Sequence, residues 1–147
     1  MADGRSYPVR PILAVSAAII RDGKVLIVRR ARPPASGLYT LPGGGVEVGG
    51  NLVQAVVREV QEETGLAVEP VALAGYREAI VRDGVDRVER HFVILPFAAR
   101  WIAGEPVLNE ELSDAMWLHP SELAGLTTTP GLAEIIEAAF TIVGKAG

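Results

Sequence analysis

Apolar and polar positions alternate in blocks along this chain, and the blocks change period between residues 50 and 66. An apolar run over 12–20 is followed by Arg21-Asp22-Gly23-Lys24 and a second run over 25–28. Asp-Gly between two short apolar runs signals a hairpin. Strands are therefore expected over 11–21, 24–31 and 38–42, followed by a glycine-rich loop over 43–50. The period then becomes helical. At roughly 100° per residue, Val53, Val56, Val57 and Val60 share one stripe, and Glu59, Glu62 and Glu63 share a second about 120° away. A helix is predicted over 52–64, packed on its valines, with three carboxylates projecting together from the rim of the buried face. Asn51 suits the N-cap, with Gln54 three residues on as in a capping box, and Gly65 supplies the residue that ends the helix. Two long strands over 67–82 and 85–100 flank a turn at Asp83-Gly84. A short strand near 116–117 and a helical turn over 120–125 come next. Pro130 opens a last helix carrying Leu132, Ile135, Ile136 and Ala139. Strands, one helix, more strands and a closing helix predict an α/β fold, a mixed sheet covered by helices on both sides.

Length and composition narrow the classes. The 147 residues suit one domain spanning 1–147, and the net charge of −4 argues against a nucleic-acid surface. The absence of cysteine removes disulfides, thiolate zinc sites and thiol nucleophiles. With only His91 and His119, a histidine-rich metal centre is excluded. Arg5 and Arg10 before the 12–20 run imitate a secretory signal, but no cleavage site follows it and a second strand does. No run approaches the roughly 18 apolar residues of a membrane span. A cytoplasmic location is expected.

The carboxylate stripe is where chemistry enters. Like charges at i,i+3 and i,i+4 repel by roughly 0.2–0.5 kcal/mol per pair, and a cation between them reverses the sign. Hard oxygen donors of this kind suit Mg²⁺ or Mn²⁺. A Glu-rich helix is more often a plain solvated face, so the neighbouring residues decide.

Residues 44–66 read GGVEVGGNLVQAVVREVQEETGL. This segment resembles the Nudix box, the signature of the Nudix hydrolase family: Gly, five residues, Glu, seven residues, then Arg-Glu-apolar-any-Glu-Glu-any-Gly-apolar. Gly44, Arg58, Glu59, Val60, Glu62, Glu63, Gly65 and Leu66 stand in register, and Gly50 replaces the first glutamate. LYTLPGGGVEVG before the helix and Asp114-Ala-Met-Trp117 late in the chain extend the likeness. The resemblance implies an α/β/α sandwich and cleavage within the pyrophosphate of a nucleoside diphosphate linked to another group. It implies that Glu59, Glu62 and Glu63 hold the metal with the Gly43 carbonyl, and that Arg58 orients Glu59. Gly43, Gly44 and Gly45 let the backbone approach metal and phosphates.

Gly50 removes one anionic group, and Glu47 on the same loop is positioned to compensate. Relatives often recruit a general base from the loop before the late strand. Here that loop offers Glu110, Glu111 and Asp114, with Glu111 favoured. Arg29, Arg30 and Arg32 are candidates for phosphate, and Tyr39, Tyr76 and Phe92 for stacking on a base; Arg30, Tyr39, Gly44 and Gly45 form the expected substrate set. The later RHFVILPFAARW and Thr127-Thr128-Thr129-Pro130 resemble the group labelled ADP-ribose pyrophosphatase. A house-cleaning nucleoside triphosphate pyrophosphohydrolase and a non-catalytic nucleotide-binding module are the alternatives. Expected partners are a small nucleotide and, optionally, a second copy of the chain, with no nucleic acid and no membrane.

Overall fold

The structure, a computed structural model, describes residues 5–33 and 35–145. Its strands are β1 Ile12–Arg21, β2 Lys24–Arg30, β3 Tyr39–Thr40, β4 Gly43–Gly45, β5 Ala67–Leu73, β6 Arg77–Arg82, β7 Val88–Ala103 and β8 Leu112–Leu118. Helix α1 is Leu52–Thr64, a 3-10 turn covers Pro120–Gly125, and helix α2 is Leu132–Lys145. The strands form one mixed sheet, with β1 and β7 parallel at its centre and the other pairings antiparallel.

The 12–20 run is thus a central strand rather than a leader. Asp22 and Gly23 take φ of 49° and 76°, the paired positive angles of a two-residue hairpin. Central strands are covered on both faces, which explains why β2 buries Val25, Leu26, Ile27 and Val28 in succession. Val15, Ala17, Ile19, Leu26 and Val28 pack with Val56 and Val60 of α1. Ala18, Val25, Ile27 and Ala98 pack with Leu132, Ile136 and Ala139 of α2. The expected α/β/α sandwich is what forms. Among the described residues no helix is long and apolar enough to cross a membrane.

Several expectations need correction. The strand over 67–82 is two strands, because Gly75 (φ 148°) breaks it, and a side chain there would strike Ile135 at 2.6 Å. β5 continues along the late part of β7 and β6 along the early part, on either side of Pro96, which has no N–H for a ladder. The glycine loop begins as strand β4, hidden from pattern reading because three glycines carry no pattern. The last helix opens at Leu132, after Gly131 at φ 79° rather than at Pro130.

Helix α1 keeps its expected bounds. Asn51 caps it, accepting from the Gln54 amide at 2.9 Å, and Gly65 closes it at φ 81°. Its buried face is Ala55, Val56, Val60 and Thr64, whereas Val53 and Val57 are 49% and 39% exposed. The packed arc is therefore rotated away from Val53 and Val57, toward the side that carries Glu59 and Glu63.

The loop 104–111 leads from β7 to β8 across the C-terminal end of α1. At its root the Trp101 indole donates to the Gly104 carbonyl at 2.9 Å. Glu105 pairs at 2.7 Å with Arg21, whose guanidinium lies 3.8 Å over Trp101 and 5.5 Å from Trp117.

Candidate active site

Strand β4 and helix α1 build the site between them. β4 pairs with Ala14–Ser16, and on either side Ala17 donates to the Pro42 carbonyl and Val46 to that of Leu13. The alternation of an antiparallel ladder leaves the polar groups of Gly43 and Gly45 facing away from β1, toward α1. The Gly43 amide accordingly donates to Glu63 at 3.3 Å, and the Gly45 carbonyl accepts from Arg58 at 3.1 Å. Glycine is required here by close approach. A Cβ on Gly43 would strike the Val15 carbonyl, and one on Gly44 would occupy the place of the Glu59 carboxylate. A side chain at position 44 would displace the Glu59 carboxylate from this place.

Arg58 gathers the charges. It meets Glu59 at 3.0 Å, Glu47 at 3.2 Å and, one helical turn on, Glu62 at 3.9 Å. Glu47 thus supplies Arg58 with a carboxylate from the loop in which Gly50 replaces the signature glutamate. Glu63 differs from its neighbours. Burial pushes its carboxyl up to about 7, against the Gly43 amide and Arg30, which favour the anion; Glu59 and Glu111 add to the upward push.

A pocket of about 290 Å³ collects these groups. Gly43, Gly44 and Gly45 line one wall, and Glu59, Glu62 and Glu63 another. Asn109 and Glu111 come from the 104–111 loop, and Arg5 and Arg30 add positive charge. The expected convergence of three carboxylates is not what forms. Among the described residues no three His, Asp or Glu side chains meet closely enough to hold one ion. Glu59 turns to Arg58 and Glu63 to the Gly43 amide, while the Glu62 side chain is 59% exposed. Mutually repelling carboxylates each take the nearest donor. In kind, the donors fit a hard divalent cation: three carboxylates and an outward-facing glycine carbonyl on one pocket, one carboxylate buried and held uncomfortably among others of its charge.

Of the expected base candidates, only Glu111 lines the pocket. Glu110 is drawn out to Arg32 at 2.6 Å, and Asp114 accepts the Tyr39 hydroxyl at 2.8 Å. Arg30, Gly44 and Gly45 of the expected substrate set reach the pocket; Tyr39 does not, and packs toward α2 with Arg29 near its ring. Arg29 is engaged by Ser113 at 2.8 Å. Arg5 and Asn109 are pocket residues that pattern reading missed, since both stand in segments without periodicity.

Known proteins agree with this architecture. The NUDIX domain family matches residues 10–139. An ADP-ribose pyrophosphatase of Methanocaldococcus jannaschii is 34% identical over 119 residues, 80% of this chain and 68% of the relative. An NAD-capped RNA hydrolase, NudC, of Photobacterium profundum is 31% identical over 134 residues, 88% of this chain but only 46% of the relative. A crystal structure of a MutT NUDIX hydrolase from Burkholderia pseudomallei superposes with a TM-score of 0.76 at 30% identity, covering 88% of this chain and 98% of that one. With its glycine strand set against an Arg-Glu-Val-Gln-Glu-Glu helix, this chain belongs to the Nudix family of hydrolases, which act on phosphorus-containing anhydrides.

Proposed function

We propose that the protein hydrolyses a nucleoside diphosphate linked to a further group, of the ADP-ribose kind, with Mg²⁺ or Mn²⁺. The observation carrying this reading is the single pocket in which the backbone of Gly43–Gly45, the carboxylates of α1, Glu111 and two arginines face one another. Glu59, Glu62, Glu63 and the Gly43 carbonyl would hold the cation. When bound, a divalent ion neutralises phosphate charge and makes water a stronger nucleophile.

The chain's own groups account for the rest. Arg30 and Arg5 offset the negative charge of the diphosphate, and Gly44 and Gly45 let it approach the backbone. Arg58 holds Glu59 and the Gly45 carbonyl in place. Glu111 takes the proton of the attacking water as its oxygen bonds to phosphorus. The anhydride P–O bond breaks, and the second phosphate leaves with the electron pair. A base so placed contributes roughly 10²- to 10⁴-fold.

The test is a panel with Mg²⁺ or Mn²⁺: ADP-ribose, NAD, UDP-sugars, dinucleoside polyphosphates, nucleoside triphosphates and an NAD-capped RNA. Cleavage of ADP-ribose to two monophosphates is expected. Preference for triphosphates, with release of pyrophosphate, would replace this reading with the house-cleaning one. Preference for the capped RNA would move the substrate class to nucleic acid, and binding without turnover would make the chain a nucleotide-holding module.

A further inference from the structure

The loop carrying Glu111 is fastened to the end of α1. The last carbonyls of a helix have no partner within it, and here two of them are met from the loop. The Val107 amide donates to the Thr64 carbonyl at 2.9 Å, and the Asn109 side-chain amide donates to that of Glu63 at 2.9 Å. The oxygen of the same Asn109 side chain accepts the Glu111 amide at 2.8 Å. One side chain therefore spans the gap between two pocket residues, Glu63 on the helix and Glu111 on the loop.

The neighbours show what this bridge decides. Glu110 and Glu111 are adjacent, and Arg32 attracts both, Glu110 closely at 2.6 Å and Glu111 only at 3.8 Å. Arg32 alone does not select which glutamate faces the pocket. Fixing the Glu111 amide sets the turn so that Glu110 points to Arg32 and Glu111 to the pocket wall. The short carboxamide donates at one end and accepts at the other, as this bridge requires. Aspartate would keep the acceptor but set a charged oxygen against the Glu63 carbonyl; alanine would lose both ends.

We infer that Asn109 is a positioning residue: it ties the Glu111 backbone to the Glu63 carbonyl and so sets Glu111 at the pocket wall. The catalytic part of this inference rests on Glu111 as the proton acceptor; the tie itself does not. Two measurements separate them. With ADP-ribose and Mg²⁺, Asn109→Ala and Asn109→Asp should each lower kcat by roughly tenfold or more, with KM within about twofold, as for supporting partners of a catalytic group. In a Glu111→Gln background, Asn109→Ala should cost nothing further, because its effect passes through that carboxylate. In the protein without substrate, amide hydrogen exchange at Glu111 should quicken in Asn109→Ala while that of the α1 interior is unchanged. Full activity of Asn109→Asp, multiplied losses in the double variant, or unaltered exchange at Glu111 would each overturn the inference. If Glu111→Gln alone kept wild-type kcat, the proton assignment would fall, and amide exchange would decide the tie by itself.

Discussion

The two helices that cover the sheet meet the same kind of surface and do different things with it. α2 presents Leu132, Ile136 and Ala139 to β1, β2 and β7 and buries them almost completely. α1 buries Val56 and Val60 equally well, yet it shares that side of the molecule with Glu59, whose side chain is 19% exposed, and with Glu63. Desolvating a carboxylate is unfavourable. It persists here because Gly44 leaves room for Glu59, and because Arg58 and the Gly43 amide each satisfy one acid. One layer of the sandwich is built for packing, and the other trades packing for charge at the proposed active site.

The sharpest way to test that contrast is to neutralise the charged layer. Glu62→Gln or Glu63→Gln should lower turnover by more than about 100-fold, beyond the loss typical of a supporting partner, while circular dichroism stays close to wild type and the denaturation midpoint near pH 8 does not fall, rising for Glu63→Gln as the buried charge is removed. Near-normal rates at saturating Mg²⁺ would show that these acids are not metal-directed. The opposite layer should respond in the opposite way. Ile136→Ala removes a side chain that is 1% exposed and should lose about 2–5 kcal/mol in urea denaturation, with kcat of the folded fraction within about twofold.

A pH series separates the layers next. The Glu63 carboxyl is raised to about 7 in the fold, well above its usual value of 4.5. Between those values the folded state holds a proton that the unfolded state has released, so stability falls as pH rises from about 4.5 through 7. The loss is at most about 3 kcal/mol. Urea midpoints in a chelator from pH 4.5 to 8 should show this slope for wild type and lose most of it in Glu63→Gln. Added Mg²⁺ should restore stability mainly at the upper end.

The smallest effect concerns the box position without its glutamate. Gly49, not Gly50, has the left-handed φ of 86°, and a Cβ on Gly50 would meet only the Glu47 carbonyl at 3.2 Å. Gly50→Glu therefore asks the Glu47 carbonyl to give slightly but demands no left-handed φ, and in a folded variant should lower the Mg²⁺ concentration for half-maximal rate by a few-fold. An unchanged metal titration would mean that Glu47, already 3.2 Å from Arg58, fills the role.

Periodicity and spacing made much of this legible. The bounds and caps of α1 were readable because Asn51 and Gly65 act through their own backbone neighbourhood. The shared stripe of carboxylates was readable from the helical period, and the glycines facing them from the segment's resemblance to the Nudix box. β4 was not, since the glycines that permit close approach erase the alternation that marks a strand. Nor was the rotation of α1, which depends on what β4 leaves room for rather than on the valines. Which loop acid reaches the pocket depended on Arg32, Tyr39 and Asn109. These are contacts across long sequence separations, or within a turn too short to show a period.

The root of the 104–111 loop also has an optical consequence. Trp101 and Trp117 are the chain's two tryptophans. Trp101 donates to Gly104 while Arg21, anchored by Glu105, stacks on its ring and approaches the other. Movement of the loop that brings Glu111 to the pocket would alter the charge beside both emitters at once. Any shift of the Arg21–Glu105 pair is therefore readable in the protein's intrinsic fluorescence, without a label.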